Sequence, residues 1–509
     1  MRTLRLIVSG ALALVLAGCV VGPDFQRPAT PDAHGYGAEP ATTTAATAHV
    51  AAGQAQHFVA GGDVSAHWWT LFHSAALNSL VEQSLAHNAD LAAAQAALTV
   101  ARENVLAGRG GAFPAVSAGF SASRRQDPPG SLAAVPSSNA FLYNLFTPQV
   151  SVSYAPDLFG LNRRTRESAQ AQAQAVRYQT LATRITLSTN VVLAAVQEAS
   201  LRAQVDATRQ LVALDTRVLQ IGHEQLASGY IGRLDVAAQE SQLAQVNASL
   251  PPLLKQLGQQ QHLLAVLVGR MPAQATAAGF DLTQLQLPPN LPLSLPSRLV
   301  RQRPDVLQAE ANLHAASAQV GVAIANRLPN IVLSADLGST ALAIGQLFKP
   351  GTGFWDVGAD LATPIFQGGT LLHQERGAKA AYAQAAAQYR STVLTAMQDV
   401  ADTLTALQQD ADGLHAAADA ASAAQVTLDL SRRQWQDGYA GYLALLSAEQ
   451  SWQQAHIALV QAQALRLADT AALFQALGGG WWNDVDTGRD DLAVPAPVHV
   501  AATRDTDEN

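Results

Sequence analysis

Four short segments of the chain alternate apolar and polar residues with the period of a β-strand. The apolar positions recur at every second residue over 116–123 and 149–154, and again over 331–338 and 355–361. This pattern predicts strands with one apolar face and one polar face. The predicted strands that contain these segments are each about 9–12 residues long, which suits a strand that crosses a membrane at a tilt. A soluble antiparallel sheet is the alternative that the pattern alone leaves open.

Outside these segments, the apolar positions recur with the period of an α-helix over most of the chain. The predicted helices are 74–112, 160–228, 231–268, 298–327, 368–437 and 440–477, with a bend at Pro251-Pro252. The two longest contain about seventy residues each and would extend about 100 Å at ~1.5 Å per residue. Each of them ends at a Gly-Tyr turn, after which the chain returns as another helix.

The two halves of the chain repeat one order of landmarks. Ser228-Gly229-Tyr230 reappears as Asp437-Gly438-Tyr439, and Leu267-Val268-Gly269 reappears as Ala476-Leu477-Gly478, both at an offset of 209 residues. A fixed offset between ordered landmarks indicates an internal repeat. Each half is therefore predicted to contain one helix, two strands and a long helix pair.

The N-terminus has the pattern of a bacterial export signal. Two arginines precede an apolar run from Leu6 to Leu16, and the run ends in Leu16-Ala17-Gly18-Cys19. This tetrapeptide resembles a lipobox, and Cys19 is the only cysteine of the chain. We expect Cys19 to become the mature N-terminus and to carry a diacylglycerol and an acyl chain. A plain signal peptide followed by a buried cysteine is the alternative.

Composition and charge exclude several function classes. The net charge of −8, without runs of Lys or Arg, gives no electrostatic footprint for nucleic acid. No apolar stretch after residue 20 reaches the ~18–20 residues of a membrane helix, which argues against a polytopic helical transporter. His67 and His73 come closest to a metal-ligand spacing, but surface histidines explain them better. We expect no catalytic site, no metal and no cofactor apart from the lipid.

Four amphipathic strands are too few to close a barrel, and lipid tolerates no open sheet edge. If the strands span a membrane, several copies of the chain must therefore contribute to one barrel. Eight strands from a dimer or twelve from a trimer would both satisfy closure. The residues thus predict a lipid-anchored, oligomeric barrel that carries long helices.

Several motifs add a family resemblance. They are Gly22–Pro28 after the lipobox, Trp68-Trp69 with Phe72, Asn88–Leu91, Asp157–Gly160, Gln302–Asp305 and Ala476–Trp481. Together they cover about 19–481 and resemble the outer-membrane efflux lipoproteins, the NodT/OprM branch of the TolC family. The resemblance implies a mixed α and β membrane protein of a Gram-negative bacterium. Its fold would be a homotrimeric tunnel, with a twelve-stranded outer-membrane β-barrel built from four strands per chain and a long periplasmic α-helical barrel.

The same resemblance implies a function. The chain would be the exit duct of a tripartite efflux system, coupled through a periplasmic adaptor protein to an inner-membrane transporter. It would conduct substrates passively and would not be an enzyme. A periplasmic coiled-coil scaffold or a secretion-associated structural lipoprotein is the alternative, although neither requires the four strands.

The predicted domain organisation follows from these features. It comprises a signal peptide at 1–18, a lipidated N-terminus and extended linker at 19–66, a first repeat at 67–297, a second repeat at 298–481, and an acidic tail at 482–509 that is predicted to be disordered.

Two candidate sites lie at the helix turns. In the family, acidic side chains narrow the periplasmic entrance, but two positions where relatives often place Asp are Ala444 and Ser447 here. Asp235, opposite Ala444 in the repeat, could form a ring of three carboxylates, or could simply favour the start of its helix. The family also docks its adaptor at the turns that contain Gly229, Gly232, Gly438 and Gly441, although a helix reversal alone also favours glycine.

Overall fold

A computed structural model describes residues 20–29, 35–36, 42–126, 142–275 and 281–484. The predicted signal peptide, Cys19 and residues 485–509 of the predicted tail lie outside the described residues. The chain forms two compact units. Among the described residues, the first comprises 20–29, 90–126, 142–180 and 304–395, and the second comprises 35–36, 42–89, 181–275, 281–303 and 396–484.

The main elements follow the order that the repeat predicts. The strands are β1 (His57–Ala60), β2 (Ala115–Gln126), β3 (Leu142–Tyr154), β4 (Asn290–Leu293), β5 (Asn330–Ser339) and β6 (Gly353–Ala362). The helices are α1 (Ala75–His87), α2 (Ala89–Arg109), α3 (Leu161–Ala227), α4 (Arg233–Leu267), α5 (Pro296–Gln302), α6 (Pro304–Ala325), α7 (Thr370–Gln436) and α8 (Tyr442–Ala476). Helices α3 and α7 contain 67 residues each, and α4 and α8 contain 35 each.

The first unit contains a four-stranded antiparallel sheet in the order β2-β3-β5-β6. Its register places Val152 opposite Val116 on one side and Ala335 on the other, whereas Ser151 lies opposite Ser117 and Asp336. Directly opposed residues share a face of a sheet. The predicted alternation therefore produces one continuous apolar face and one polar face, and the four strands are confirmed.

The apolar face of this sheet is exposed. Trp355 on β6 is 76% exposed and Val116 on β2 is 68% exposed. Strands β2 and β6 form the two edges, and each has only one neighbouring strand within the described residues. Among the residues that the structure describes, the sheet thus has no partner for its apolar face or for its edge hydrogen bonds.

The helices that precede the strands are interrupted, contrary to the prediction of continuous helices over 74–112 and 298–327. Asn88 separates α1 from α2 with extended backbone angles, and its side-chain amide donates to the Leu267 carbonyl at 3.1 Å. Arg303 separates α5 from α6 because the proline that follows it disfavours the helical conformation. Both breaks are local effects that the average apolar period does not detect.

Two further predictions have mixed outcomes. Helix α4 continues as one element through Pro251 and Pro252, so the prolines do not end it, and a bend there stays a prediction. The segment that we expected to be only extended linker contains β1, which pairs in parallel with β4. Leu291 of β4 is fully buried, and the pairing with β4 gives the backbone of β1 hydrogen-bond partners.

The core of the second unit begins with two aromatic residues that follow β1. Trp68 is buried and stacks on Phe474 of α8 with 5.3 Å between the ring centroids. Phe72 and Leu77 are fully buried beside them. Burial of large apolar side chains of this kind is the main favourable contribution to folding, at about 1.5–3 kcal/mol for each.

Candidate functional sites at the helix turns and the N-terminus

Two corresponding turns connect the long helices, one between α3 and α4 and one between α7 and α8. Gly229 and Gly438 have φ angles of +76° and +77°. The Tyr230 N–H donates to the Gln225 carbonyl at 2.9 Å, and the Tyr439 N–H donates to the Gln434 carbonyl at 2.8 Å. Each of the two long helices therefore ends in a residue with left-handed backbone angles, a conformation that favours glycine. Gly229 and Gly438 are therefore explained by the backbone alone.

The second glycine of each turn has a different environment. Gly232 and Gly441 precede α4 and α8 with φ angles of −85° and −71°, which any residue can adopt. A Cβ atom at Gly441 would have no neighbour within 4 Å, and a Cβ atom at Gly232 would lie 3.6 Å from the Asp235 carboxylate. Neither backbone strain nor crowding within the chain requires glycine here.

Each turn also exposes an aromatic and an aliphatic side chain. Tyr230 and Leu234 are 83% and 82% exposed, and their repeat counterparts Tyr439 and Leu443 are 87% and 68% exposed. Exposed apolar groups that are clustered in this way are typical of interaction sites. The sequence analysis singled out the glycines but missed these four side chains, although the repeat would have identified their correspondence.

Asp235 lies in the first turn of α4. Its Oδ2 accepts a hydrogen bond from the Gly232 N–H at 3.1 Å, and its own N–H donates to the Gly232 carbonyl at 3.2 Å. At the corresponding position, Ala444 donates its N–H to the Gly441 carbonyl but offers no side-chain acceptor. The carboxylate thus stabilises the start of one helix, and only the first of the two turns has this interaction.

The residues that follow Cys19 are held against the first unit. The Val21 N–H donates to the Phe159 carbonyl at 3.2 Å. The Arg164 guanidinium donates to the carbonyls of Val21 and Gly22, at 3.1 and 3.3 Å, and to the Asp24 carboxylate at 2.8 Å. Phe159 lies between the end of β3 and the start of α3. The N-terminal segment is therefore fixed at the strand-to-helix junction.

The described residues contain no group of three or more His, Cys, Asp or Glu that could hold a metal ion. The His67 ring packs edge-on against Trp69, with 5.3 Å between the ring centroids, and His73 ends a short 3₁₀ helix. Within the same residues, one helix, α8, has the length and apolar composition to cross a membrane. Its buried residues include Arg466 and Glu449, so it also has the character of a helix from a protein core.

An amphipathic antiparallel sheet joined to two pairs of very long helices defines the subunit of an outer-membrane channel. The family model described as "Outer membrane efflux protein" matches residues 80–270 and 295–479, and the chain belongs to this family. The family comprises efflux channels rather than enzymes.

Several relatives and solved structures are similar to the chain. The probable efflux pump outer membrane protein TtgC of Pseudomonas putida is 29% identical over 97% of this chain and 99% of its own length. The pyoverdine export outer membrane protein OpmQ of Pseudomonas aeruginosa is 30% identical over 82% of this chain and 88% of its own length. The outer-membrane channel OprN has a TM-score of 0.79 at 28% identity, over 91% of this chain and all of the OprN chain.

These findings confirm the predicted fold class, function and location. The chain is an exit duct of an efflux system in the outer membrane and extends into the periplasm. The sites at Asp235, at the four glycines and at Cys19 stay predictions.

Proposed function

We propose that three copies of the chain form one duct, with β6 of each copy paired to β2 of the next. The observation that carries this proposal is the pair of open strand edges on a sheet whose apolar face is exposed. Four strands leave these edges unsatisfied in lipid, while twelve strands from three copies close a barrel. The mass of the detergent-solubilised particle, corrected for detergent, should equal three chains. A mass of two chains would favour an eight-stranded dimer instead.

We infer that the two turns dock a periplasmic adaptor protein, which couples the duct to an inner-membrane transporter. The exposed Tyr230 and Tyr439 offer apolar contacts, and Gly232 and Gly441 leave room beside them for a partner's backbone. This absence of crowding supports a reason for glycine that lies outside the chain.

The docking proposal is tested by Gly232→Leu and Gly441→Leu. Since the chain has space at both positions, these variants should form oligomers of normal yield and heat stability but lose adaptor crosslinking and efflux. Gly441→Ser is the matched control because serine is a good helix cap and adds little bulk. Normal efflux by both leucine variants would contradict docking at the turns.

We further propose that Cys19 carries the lipid that anchors the N-terminus. Val20 directly follows Cys19 and packs against Gly160, where a Cβ atom would lie 2.9 Å from a Val20 methyl group. This contact holds the start of the described chain beside Gly160, six residues after the end of β3, so a lipid on Cys19 would lie next to the proposed barrel. Mass spectrometry of the mature N-terminus should find cleavage before Cys19 and the added mass of acyl chains.

We propose that transport through the duct is passive and that the inner-membrane transporter selects the substrate. The relatives are named for chemically different cargo, including toluene for TtgC of one Pseudomonas putida strain and cations for CusC of Escherichia coli. Exchange of the cognate transporter should therefore change the exported compounds without any change in this chain. A substrate range that instead followed the duct would contradict the proposal.

A further inference from the structure

Two carboxyl groups are buried against each other where the two long helix pairs meet. Asp215 belongs to α3 and is 3% exposed, and Glu449 belongs to α8 and is fully buried. The two carboxyl groups are close enough for each to shift the pKa of the other. The contact thus joins the first helix pair, α3 and α4, to the second, α7 and α8.

The surroundings of this pair are largely apolar. Val218 lies three residues after Asp215 on α3, and Leu445 lies four residues before Glu449 on α8. Both belong to a buried apolar cluster with Leu428, Tyr442 and Ala448. No other group among the described residues donates a hydrogen bond to any of the four carboxyl oxygens. Isolated buried carboxylates are costly, and two of them in contact repel each other. A proton held between the two groups removes their repulsion and leaves one negative charge to be buried instead of two.

The other charged or titratable groups that face the pair do not neutralise it. Arg432 of α7 is near enough to favour ionisation of Glu449, but its Nη1 lies 4.0 Å from an Asp429 carboxylate oxygen instead. From α8 the pair meets the phenol of Tyr442. The buried polar residues of α4, Gln239 and Gln242, are uncharged. Within the described part of the chain, the Arg432 charge thus opposes the effect of burial on Glu449 but does not outweigh it.

The electrostatics agree with this geometry. Burial, reinforced by the nearby Asp215 charge and opposed by Arg432, raises the pKa of Glu449 to about 8. Burial also raises the pKa of Asp215, to about 6, while the hydrogen bond with Glu449 opposes the shift. The folded chain therefore retains a proton that the unfolded chain has already lost. The contact is strongest below about pH 4.5 and weakens as the pH rises towards about 8.

We infer that Asp215 and Glu449 form a proton-binding site that ties the two helix pairs together near the proposed docking turns. Asp215 lies twelve residues before the end of α3, and Glu449 lies seven residues after the start of α8. At ~1.5 Å per residue, both are within about 20 Å of the turns. Release of the proton to water leaves two confronting charges and loosens this end of the duct. The inference rests on the proposed oligomeric duct.

The first experiment detects the proton itself. Infrared spectra of the purified full-length protein should contain a protonated-carboxyl band that disappears with a midpoint near pH 8. Burial raises the pKa of Asp410 to about 7, so its carboxyl group contributes a separate band that is lost at lower pH. The component with the midpoint near pH 8 should be absent from Glu449→Gln. It should persist in Glu240→Gln, which changes the same residue type at the corresponding repeat position, where the side chain is 57% exposed. Absence of a component with a midpoint near pH 8 in the unsubstituted protein, or its persistence in Glu449→Gln, would overturn the proton-binding site.

The second experiment measures the consequence for the duct. In planar bilayers the conductance should rise with pH through the same midpoint, while Glu449→Gln should keep its low-pH conductance throughout. Asp215→Asn should move the midpoint to lower pH because the Asp215 charge raises the pKa of Glu449. A Glu449→Gln protein that titrates like the unsubstituted protein would overturn the coupling. Failure to form channels at any pH would instead contradict the proposed duct, and the infrared titration would still decide the proton-binding site.

Discussion

Replacement of Val150 by arginine tests whether the apolar face of the sheet meets lipid. Val150 lies on β3 between Ala118 of β2 and Leu337 of β5, and it is half-exposed. It precedes Tyr154, the last residue of the strand, by four positions. With a rise of about 3.3 Å per residue and a tilt of about 40°, it lies about 10 Å above the strand end. This is close to the middle of an apolar band about 25 Å tall.

The expected cost follows from this depth. An arginine on the lipid face near the midplane costs about 2–4 kcal/mol per chain, or about 30- to 1,000-fold in the folding equilibrium. Val152→Arg, two positions nearer the strand end, should cost less because the penalty falls towards the interface. Ser151→Arg places the same charge on the opposite face, next to the Asp336 carboxylate that Ser151 contacts. It should assemble normally and alter the conductance.

Assembly can be measured by heat-dependent gel mobility and by urea titration of the protein folded into lipid bilayers. The loss of stability should follow the order Val150→Arg, then Val152→Arg, then Ser151→Arg. Equal losses for Val150→Arg and Ser151→Arg would refute the assignment of the apolar face to lipid. A larger loss for Ser151→Arg would indicate that the polar face is packed against another surface.

Three further predictions concern the other candidate sites. Cys19→Ser should remove the acyl mass from the N-terminus, but the protein should stay in the outer-membrane fraction because its strands span the membrane. An unmodified N-terminus in the unsubstituted protein would contradict lipidation. If three Asp235 carboxylates form a ring at the entrance, Asp235→Asn should lower the cation selectivity, measured as a reversal potential. An unchanged reversal potential would mean that Asp235 only stabilises the start of α4. Gly438→Ala should destabilise the turn by about 1–2 kcal/mol in thermal unfolding, because alanine is strained at its left-handed φ angle; an unchanged melting temperature would contradict this.

The strands and long helices were predictable because their patterns are regular over many residues. A period of two over the whole of β5 allows only one assignment of faces, and the observed register agrees with it. The interruptions at Asn88 and Arg303 were missed because each depends on one residue and its local partner. The Arg303 break was nevertheless available from the sequence, since the residue before a proline rarely stays helical.

The turns were predictable only in part. The repeat identified all four glycines, but it did not distinguish Gly229 and Gly438, which the backbone requires, from Gly232 and Gly441, which it does not. This distinction depends on φ angles and on the space around each Cα atom. Neither quantity follows from residue type, so the mutations that separate folding from docking can be chosen only with the structure.

Glu240 and Glu449 show why the repeat does not predict chemistry. They occupy corresponding positions in helices of equal length, yet Glu240 is 57% exposed and Glu449 is fully buried. The counterpart of Asp215 in the second half is Ala424, so the carboxyl pair forms once in the chain and not twice. The repeat thus duplicates the lengths and turns of the two helix pairs, whereas burial assigns their charges different roles. The proton-binding contact depends on one carboxyl group from each helix pair at the same place, and in this chain Asp215 and Glu449 meet that condition while Ala424 and Glu240 do not.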